Sequence, residues 1–249
     1  MSPPSSGGLT VIQMLKMLER FPIGDSAQGF GFGQQKTQHV MIEAMRLAFA
    51  DRAVWMGDAD FVDVPERGLL NDTYVSQRSG LINLGQRLAT PAAGNPLPFD
   101  TRGHDRQMKL EALPYEENKG THTTHFAVAD RWGNVVTYTT TIENTWGSGI
   151  PVPGYGFLLN NELTDFNTAP STNPYTAGPG YNDVQPAKRP RRSMTPAMIF
   201  TPDGKPLVLE KATQPDQTSR QLDEQWRRDM TNINIKIEFK PAKWPENLK

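Results

Sequence analysis

Apolar and polar side chains alternate between residues 124 and 141 in a way that defines two strands and the turn joining them. Phe126 and Val128 fall on one face, with Thr124, Ala127 and Ala129 between or opposite, and residues 135–141 read Val-Val-Thr-Tyr-Thr-Thr-Thr. A period of two with β-branched and aromatic residues predicts strands with one buried face. Arg131-Trp132-Gly133-Asn134 supplies the turn, since Gly and Asn accept positive φ at little cost. The pattern is a β-hairpin with a threonine at its entrance.

The period changes to 3.6 nearer the N-terminus. Apolar residues at 9, 11, 12, 15 and 18 predict an amphipathic helix over 9–20, ended by Phe21-Pro22 and followed by a glycine-rich loop over 24–33. A longer helix is expected over 35–56, with Val40, Met41, Ala44, Met45, Leu47 and Ala48 forming one broad core face. A short helix is expected within 71–84, and the Pro, Gly and charge content of 86–118 reads as a surface linker. Phe157-Leu158-Leu159 reads as a short strand and 168–185 as a loop. Residues 197–201 and 206–210 read as strands joined by Pro202-Asp203-Gly204, and the tail holds a polar helix over 217–228 and a strand over 233–239.

Composition narrows the possibilities. With 249 residues the chain is one large domain or two small ones. Its 26 basic and 27 acidic residues give a formal charge of −1, which favours neither nucleic acid nor an anionic membrane as partner. No apolar run is long enough to span a bilayer, and the residues after Met1 lack the charged start and apolar core of a secretory leader. The absence of cysteine excludes disulfides and thiolate metal sites.

Candidate chemistry is sparse. Gly29-Phe30-Gly31-Phe32-Gly33 lacks the Lys-Ser/Thr of a phosphate loop. Asp58 and Asp60 read as structural, and His122 with His125 lacks an acidic or thiolate third metal ligand, so no metal is expected. Glu162 and Asp165 allow two readings: an anionic patch for an ammonium group, or a cap on a following turn beside Asn160 and Asn161. The run Lys188-Arg189-Pro190-Arg191-Arg192 is of a kind usually solvated. Thr123 is an ordinary strand threonine unless it becomes a chain terminus. Its own α-amino group, with a pKa near about 8, could then act as the base its hydroxyl needs.

Several motifs carry a resemblance. Thr123 to Asp165, closing on Asn160-Asn161-Glu162-Leu163-Thr164-Asp165-Phe166, resembles the small subunit of the γ-glutamyltranspeptidases. The likeness extends upstream through Asp51-Arg52, Asp58-Ala59-Asp60 and Pro3-Pro4-Ser5-Ser6-Gly7-Gly8. Downstream it runs through Lys188-Arg189-Pro190 and Ser193-Met194-Thr195-Pro196, covering residues 1–209 in all.

The resemblance implies an α+β N-terminal-nucleophile hydrolase, an αββα sandwich incomplete at both ends. Residues 1–122 would correspond to the end of a large subunit, 123–210 to the catalytic start of a small subunit, and 211–249 to an unrelated tail. It further implies self-cleavage between His122 and Thr123, with the two halves remaining as a heterodimer. Thr123 would be the nucleophile and Thr141 its hydrogen-bond partner. Glu143 and Ser193 would hold the substrate α-carboxylate end, and Glu162 and Asp165 its α-ammonium group. The substrate would be a γ-glutamyl compound such as glutathione, with an amino acid or peptide as acceptor and no cofactor, in a periplasmic or extracellular setting.

There are departures from the family pattern. Arg191-Arg192-Ser193 stands where the family has Leu-Ser-Ser, so an arginine replaces the first carboxylate-binding serine. It could pair with a carboxylate or fill the pocket. Lys211 to Gln217 replaces the Ser-Pro-Gly-Gly turn that supplies the family's oxyanion hole, and the family's carboxylate-gripping arginine lies ahead of the matched region. The tail is similar to a segment of the peptide-binding proteins of ABC transporters. An impaired enzyme is therefore expected. The alternatives are a non-catalytic fragment with a binding-protein tail and an acylase-type amidohydrolase, the retained Glu162 and Asp165 weighing against the acylase.

Overall fold

A computed structural model describes residues 3–101 and 123–204, together with the backbone of 212–213 and 240–241. These residues fall into two compact units. One holds the described residues up to Asp130 and Asn134–Ala197; the other comprises Arg131–Gly133 and the described residues from Met198 onward. In the second unit β3 (Ala212–Thr213) pairs in parallel with β4 (Lys240–Pro241). The strand expected over 197–201 is irregular apart from a bridge at Phe200, whereas Gly204 closes the expected turn by donating to Thr201 O at 2.8 Å. The strand at 206–210, the tail helix and the 233–239 strand lie outside the described residues, as does His122.

The described residues of the first unit form four α-helices, α1 (Gly7–Leu18), α2 (Gln35–Trp55), α3 (Glu66–Leu70) and α4 (Asp72–Ser79). α4 starts where the Asn71 carboxamide accepts from the backbone N–H of Thr73 and Tyr74 at 2.9 and 3.3 Å, a side-chain cap for otherwise unpaired donors. α2 buries Val40, Ala44, Leu47 and Ala48 completely. Met41 and Met45, expected in the same face, are exposed: at about 100° per residue both fall just beyond one edge of the arc spanned by 40, 44, 47 and 48.

The expected face of α1 is corrected in a similar way. Val11, Ile12 and Leu15 are exposed, and the helix buries Gly7, Gly8, Leu9, Thr10, Gln13 and Met17. A polar contact sets this rotation. Gln13 Nε2 donates at 2.8 Å to Asp51, a fully buried carboxylate that also takes the Tyr74 hydroxyl (2.8 Å), the Gly94 N–H (2.7 Å) and Arg78 (2.9 Å). Burial pushes the Asp51 carboxyl up, and Arg78 opposes the shift.

Trp55, at the end of α2, centres one hydrophobic cluster. Its ring lies 4.7 Å from Tyr175 and meets Tyr181 edge-on at 5.9 Å. Both tyrosines come from the expected loop at 168–185. Ala93 and Leu97 of the same cluster come from the expected surface linker, whose described part is thus core in places. The tyrosine hydroxyls find backbone acceptors, Ala93 O at 2.5 Å and Asp63 O at 3.3 Å, which lets these segments be buried without helix or strand.

The hairpin forms as expected, with β1 (Thr123–Ala129) and β2 (Val135–Thr141) antiparallel, Thr123 facing Thr141 and Ala129 facing Val135. The expected buried face, however, is not buried: Phe126 and Val128 are half-buried, and Val136 and Tyr138 opposite them are exposed. Phe126 and Tyr138 pack across it with ring centroids 5.4 Å apart. Phe157–Leu159 is not a strand. It folds back on residues 150–152 through the Leu159 N–H to Ile150 O and Val152 N–H to Phe157 O bonds, both 2.9 Å, and leaves Phe157 and Leu159 exposed.

Candidate active site

The far side of the hairpin entrance is a segment held in place by the N-terminal loop. Ser6 donates to Arg192 O twice, from its backbone N–H at 2.8 Å and from its hydroxyl at 2.7 Å, and the Ser5 hydroxyl reaches Met194 O at 2.5 Å. Gly7 makes the approach possible, since a Cβ there would lie 1.8 Å from Thr195 Oγ1 and 2.6 Å from Met194 O. From behind, the buried Arg52 of α2 donates through Nε to Ser6 Oγ (2.6 Å) and through Nη2 to Ser193 Oγ (2.7 Å). Arg191 reaches back to the carbonyls of Arg52 and Ala53 at 3.0 and 3.1 Å.

The basic run is therefore not a solvated patch. Lys188 and Arg191 are buried, and Arg189 clamps Asp58 through Nε (2.9 Å), Nη2 (2.5 Å) and its own backbone N–H (2.9 Å). Those bonds hold the Asp58 carboxyl down at about 2. Among the described residues no cluster of His, Cys, Asp and Glu could hold a metal ion.

Between this segment and the hairpin lies a cavity of about 430 Å³, lined by Thr123, Thr141, Glu143, Glu162, Asp165 and Ser193, together with Arg192 and His125. The structure thus brings together all the sequence-predicted site residues that it describes. Thr123 Oγ1 donates to Thr141 Oγ1 at 3.0 Å, and the same Thr141 oxygen accepts the Glu143 backbone N–H at 2.8 Å. The chain turns sharply there, with Glu143 at φ 70°, a conformation that costs a residue with a Cβ some strain. The buried Glu143 carboxylate accepts from the Thr164 hydroxyl (2.8 Å) and from the Asn161 carboxamide, whose oxygen in turn accepts the Asn144 N–H at 3.0 Å.

Glu162–Asp165 form a single short helical turn. Asn160 caps the Glu162 N–H at 3.1 Å, and Asn182 donates to Asp165 O at 2.7 Å. Asn160 thus serves the turn, and the two acids the turn carries line the cavity. Burial, then the charges of Glu162 and Glu143 and a hydrogen bond with Glu162, raise the Asp165 carboxyl to about 7, with Arg192 opposing. Arg192 Nε lies 3.0 Å from Glu162 Oε2.

Sequence reasoning did not single out Arg52 or Ser6 as parts of this site. Their only signal was membership of two short motifs, because neither reaches the cavity wall except through Ser193 and Arg192.

The Gamma-glutamyltranspeptidase family profile matches residues 1–209. The chain belongs to this family. It is 46% identical over 206 residues to the glutathione hydrolase proenzyme of Bacillus subtilis strain 168, covering 83% of this chain and 32% of that one. It is 33% identical over 198 residues to the acylase ACY 1 proenzyme of Pseudomonas sp. strain SE83, covering 80% and 30%. The chain thus spans about a third of the length of these curated relatives. Among solved structures it resembles the cephalosporin acylase of Bacillus halodurans with TM-score 0.55 and 25% identity, over 78% of this chain and 28% of that one.

Proposed function

We propose that this family member carries the nucleophile-bearing part of an enzyme that hydrolyses or transfers γ-glutamyl amides, activated by cleavage of its own chain between His122 and Thr123. The reading is supported above all by one observation. Residues scattered from 123 to 193 in sequence share one cavity, and the Thr123 hydroxyl is already bonded to Thr141. The freed α-amino group of Thr123 takes the hydroxyl proton as Oγ1 attacks the amide carbonyl. The C–N bond breaks, the leaving amine takes that proton, and an ester remains on Thr123. Water, or the amine of an amino acid or peptide acceptor, then displaces Thr123 from the acyl carbon. Glu162 and Asp165 hold the substrate ammonium, and Glu143 and Ser193 help place its carboxylate end.

The reading also includes the αββα layering of such enzymes and persistence of the two products as a heterodimer. Residues 211–249 are taken as an unrelated tail, similar to a peptide-binding-protein segment. The chain's activity is proposed to be reduced, because Lys211 to Gln217 replaces the oxyanion turn and losing one such donor costs about 10²–10³ in rate.

A second reading, an acylase acting on amides without an α-ammonium group, is favoured by the 33% identity to the Pseudomonas acylase. Two measurements test the proposal: the intact mass of the purified chain, and turnover of paired chromogenic γ-glutamyl and glutaryl amides. Cleavage before Thr123 and γ-glutamyl turnover abolished by Thr123→Ala support the first reading. Glutaryl preference supports the second, and an uncut chain without turnover overturns both.

A further inference from the structure

Helix α2 is apolar on both sides. One row packs into the core, and a second, Met41, Ile42, Met45 and Phe49, falls within about 100° on the side turned away from it. Met41, Ile42 and Met45 are 44%, 53% and 47% exposed. An apolar row that covers no core is surface available to a ligand. Methionine suits that use, because its flexible thioether chain fits apolar groups of differing shape. Phe49 is half-buried and lines the same cavity as Thr123. The row therefore starts in the cavity wall and leads away from it, with Met45 about 6 Å and Ile42 about 10 Å from Phe49 along the helix axis.

The wall at Phe49 is firm. The Arg52 guanidinium lies 5.4 Å from the centre of its ring and is itself held by Ser6 and Ser193. The hairpin orders the rest of the cavity. Its Thr123–Thr141 rung is terminal, the His125–Thr139 rung comes next along the strands, and both rungs line the cavity. Glu143 lies beyond the terminal rung, and Asn161 and Thr164 tie it to the turn that carries Glu162 and Asp165. The Thr123 hydroxyl thus stands between the acids and the His125 rung. A substrate whose ammonium is held by the acids runs its amide past Thr123 and sends its amine part to the remaining wall. At Phe49 that wall is apolar, and the exposed row of α2 continues it.

We propose that Phe49, Met45 and Ile42 form a binding track for the amine part of the substrate, selecting aliphatic or aromatic amines and acceptor peptides that begin with a large apolar residue. This rests on the γ-glutamyl reading above and adds to it the class of leaving and accepting group.

The test is equilibrium binding, by calorimetry, of L-glutamic acid γ-methylamide and γ-hexylamide to the full 249-residue chain bearing Thr123→Ala, so that no chemistry intervenes. The probes share head group and amide and differ only in apolar length. Burial is worth roughly threefold in affinity per covered methylene, so the hexylamide is expected to bind about tenfold or more tighter. Ile42→Gln together with Met45→Gln is expected to abolish that preference and leave methylamide binding unchanged. Both side chains are exposed and glutamine is a good helix former, so an unchanged melting temperature serves as the control for folding. Equal affinity for the two amides, no binding of either, or a preference that survives the substitutions would overturn the proposal. So would a dimer that the same substitutions dissociate in sedimentation, without any chain-length preference, since the row would then belong to a second copy of the chain. The γ-glutamyl reading fails separately: hexylamine bound as tightly as the hexylamide would leave the apolar track in place without recognition of the head group.

Discussion

Thr123 and Thr141 share a hydrogen bond of 3.0 Å because they are the terminal rung of the hairpin register, so strand pairing itself sets the geometry of the hydroxyl. Thr141 Oγ1 also accepts the Glu143 N–H, which ties that rung to the turn beyond it. Thr141→Val keeps the shape and the β-propensity but removes the acceptor. Self-cleavage before Thr123, followed by mass spectrometry over time, is expected to slow about tenfold, the scale of one net hydrogen bond. Thr123→Ala is expected to give no cleavage.

Asp58 makes a prediction about acid stability. Its folded pKa of about 2 lies below the ordinary 3.8, so the ionised form is the one that stabilises the fold. That contribution, roughly 2 kcal/mol, is fully present above about pH 4 and lost as pH falls towards 2. Asp58→Asn is expected to lower the urea midpoint at pH 7. The difference between variant and parent should shrink on titration to pH 2, whereas a difference independent of pH would refute this role.

Asp165 has the opposite sign. Its folded pKa, near 7, is raised from 3.8, so the folded chain binds more protons than the unfolded chain between those values. Stability contributed by this group is therefore present at about pH 4 and declines as pH rises to 7. Asp165→Asn is expected to remove that decline in thermal melts. Binding of an ammonium-bearing ligand runs the other way and strengthens as pH rises through 7, because only the carboxylate attracts it.

Glu143 separates backbone from side chain. At φ 70° an asparagine is tolerated far better than a β-branched residue. Glu143→Asn is expected to keep the melting stability within about 1 kcal/mol, and Glu143→Val to lose about 1–3 kcal/mol from strain. It would also strand the Asn161 and Thr164 donors. Urea melts of the two variants make the comparison.

Elements governed by local pattern could be read directly from the chain. The hairpin register follows from alternation and a Gly-Asn turn, and α2 runs within a residue of its expected span. Features decided by distant partners could not. Nothing near Gln13 says that Asp51 waits across the helix pair, so the exposure of Val11, Ile12 and Leu15 was unforeseen. Tyr175 and Tyr181 lie in a stretch rich in Pro, Gly and Asn, and only the presence of Trp55 turns it into core. The basic run behaved likewise, since Asp58 is 131 residues from Arg189. The site residues were reached by motif resemblance, and physical spacing alone would have left Glu162 and Asp165 as turn formers.

The contacts that clasp residues 52–58, at and just after the end of α2, to residues 173–193 join opposite sides of Thr123: Asp58 with Arg189, Arg52 with Ser193, Trp55 with Tyr175 and the Val54 carbonyl with Asn173. None of them depends on the peptide bond ahead of Thr123. Opening that bond would turn one folding equilibrium into an association between two polypeptides, whose melting point then rises with their concentration. In such a molecule mass action takes over what chain connectivity had guaranteed, and dilution becomes a denaturant.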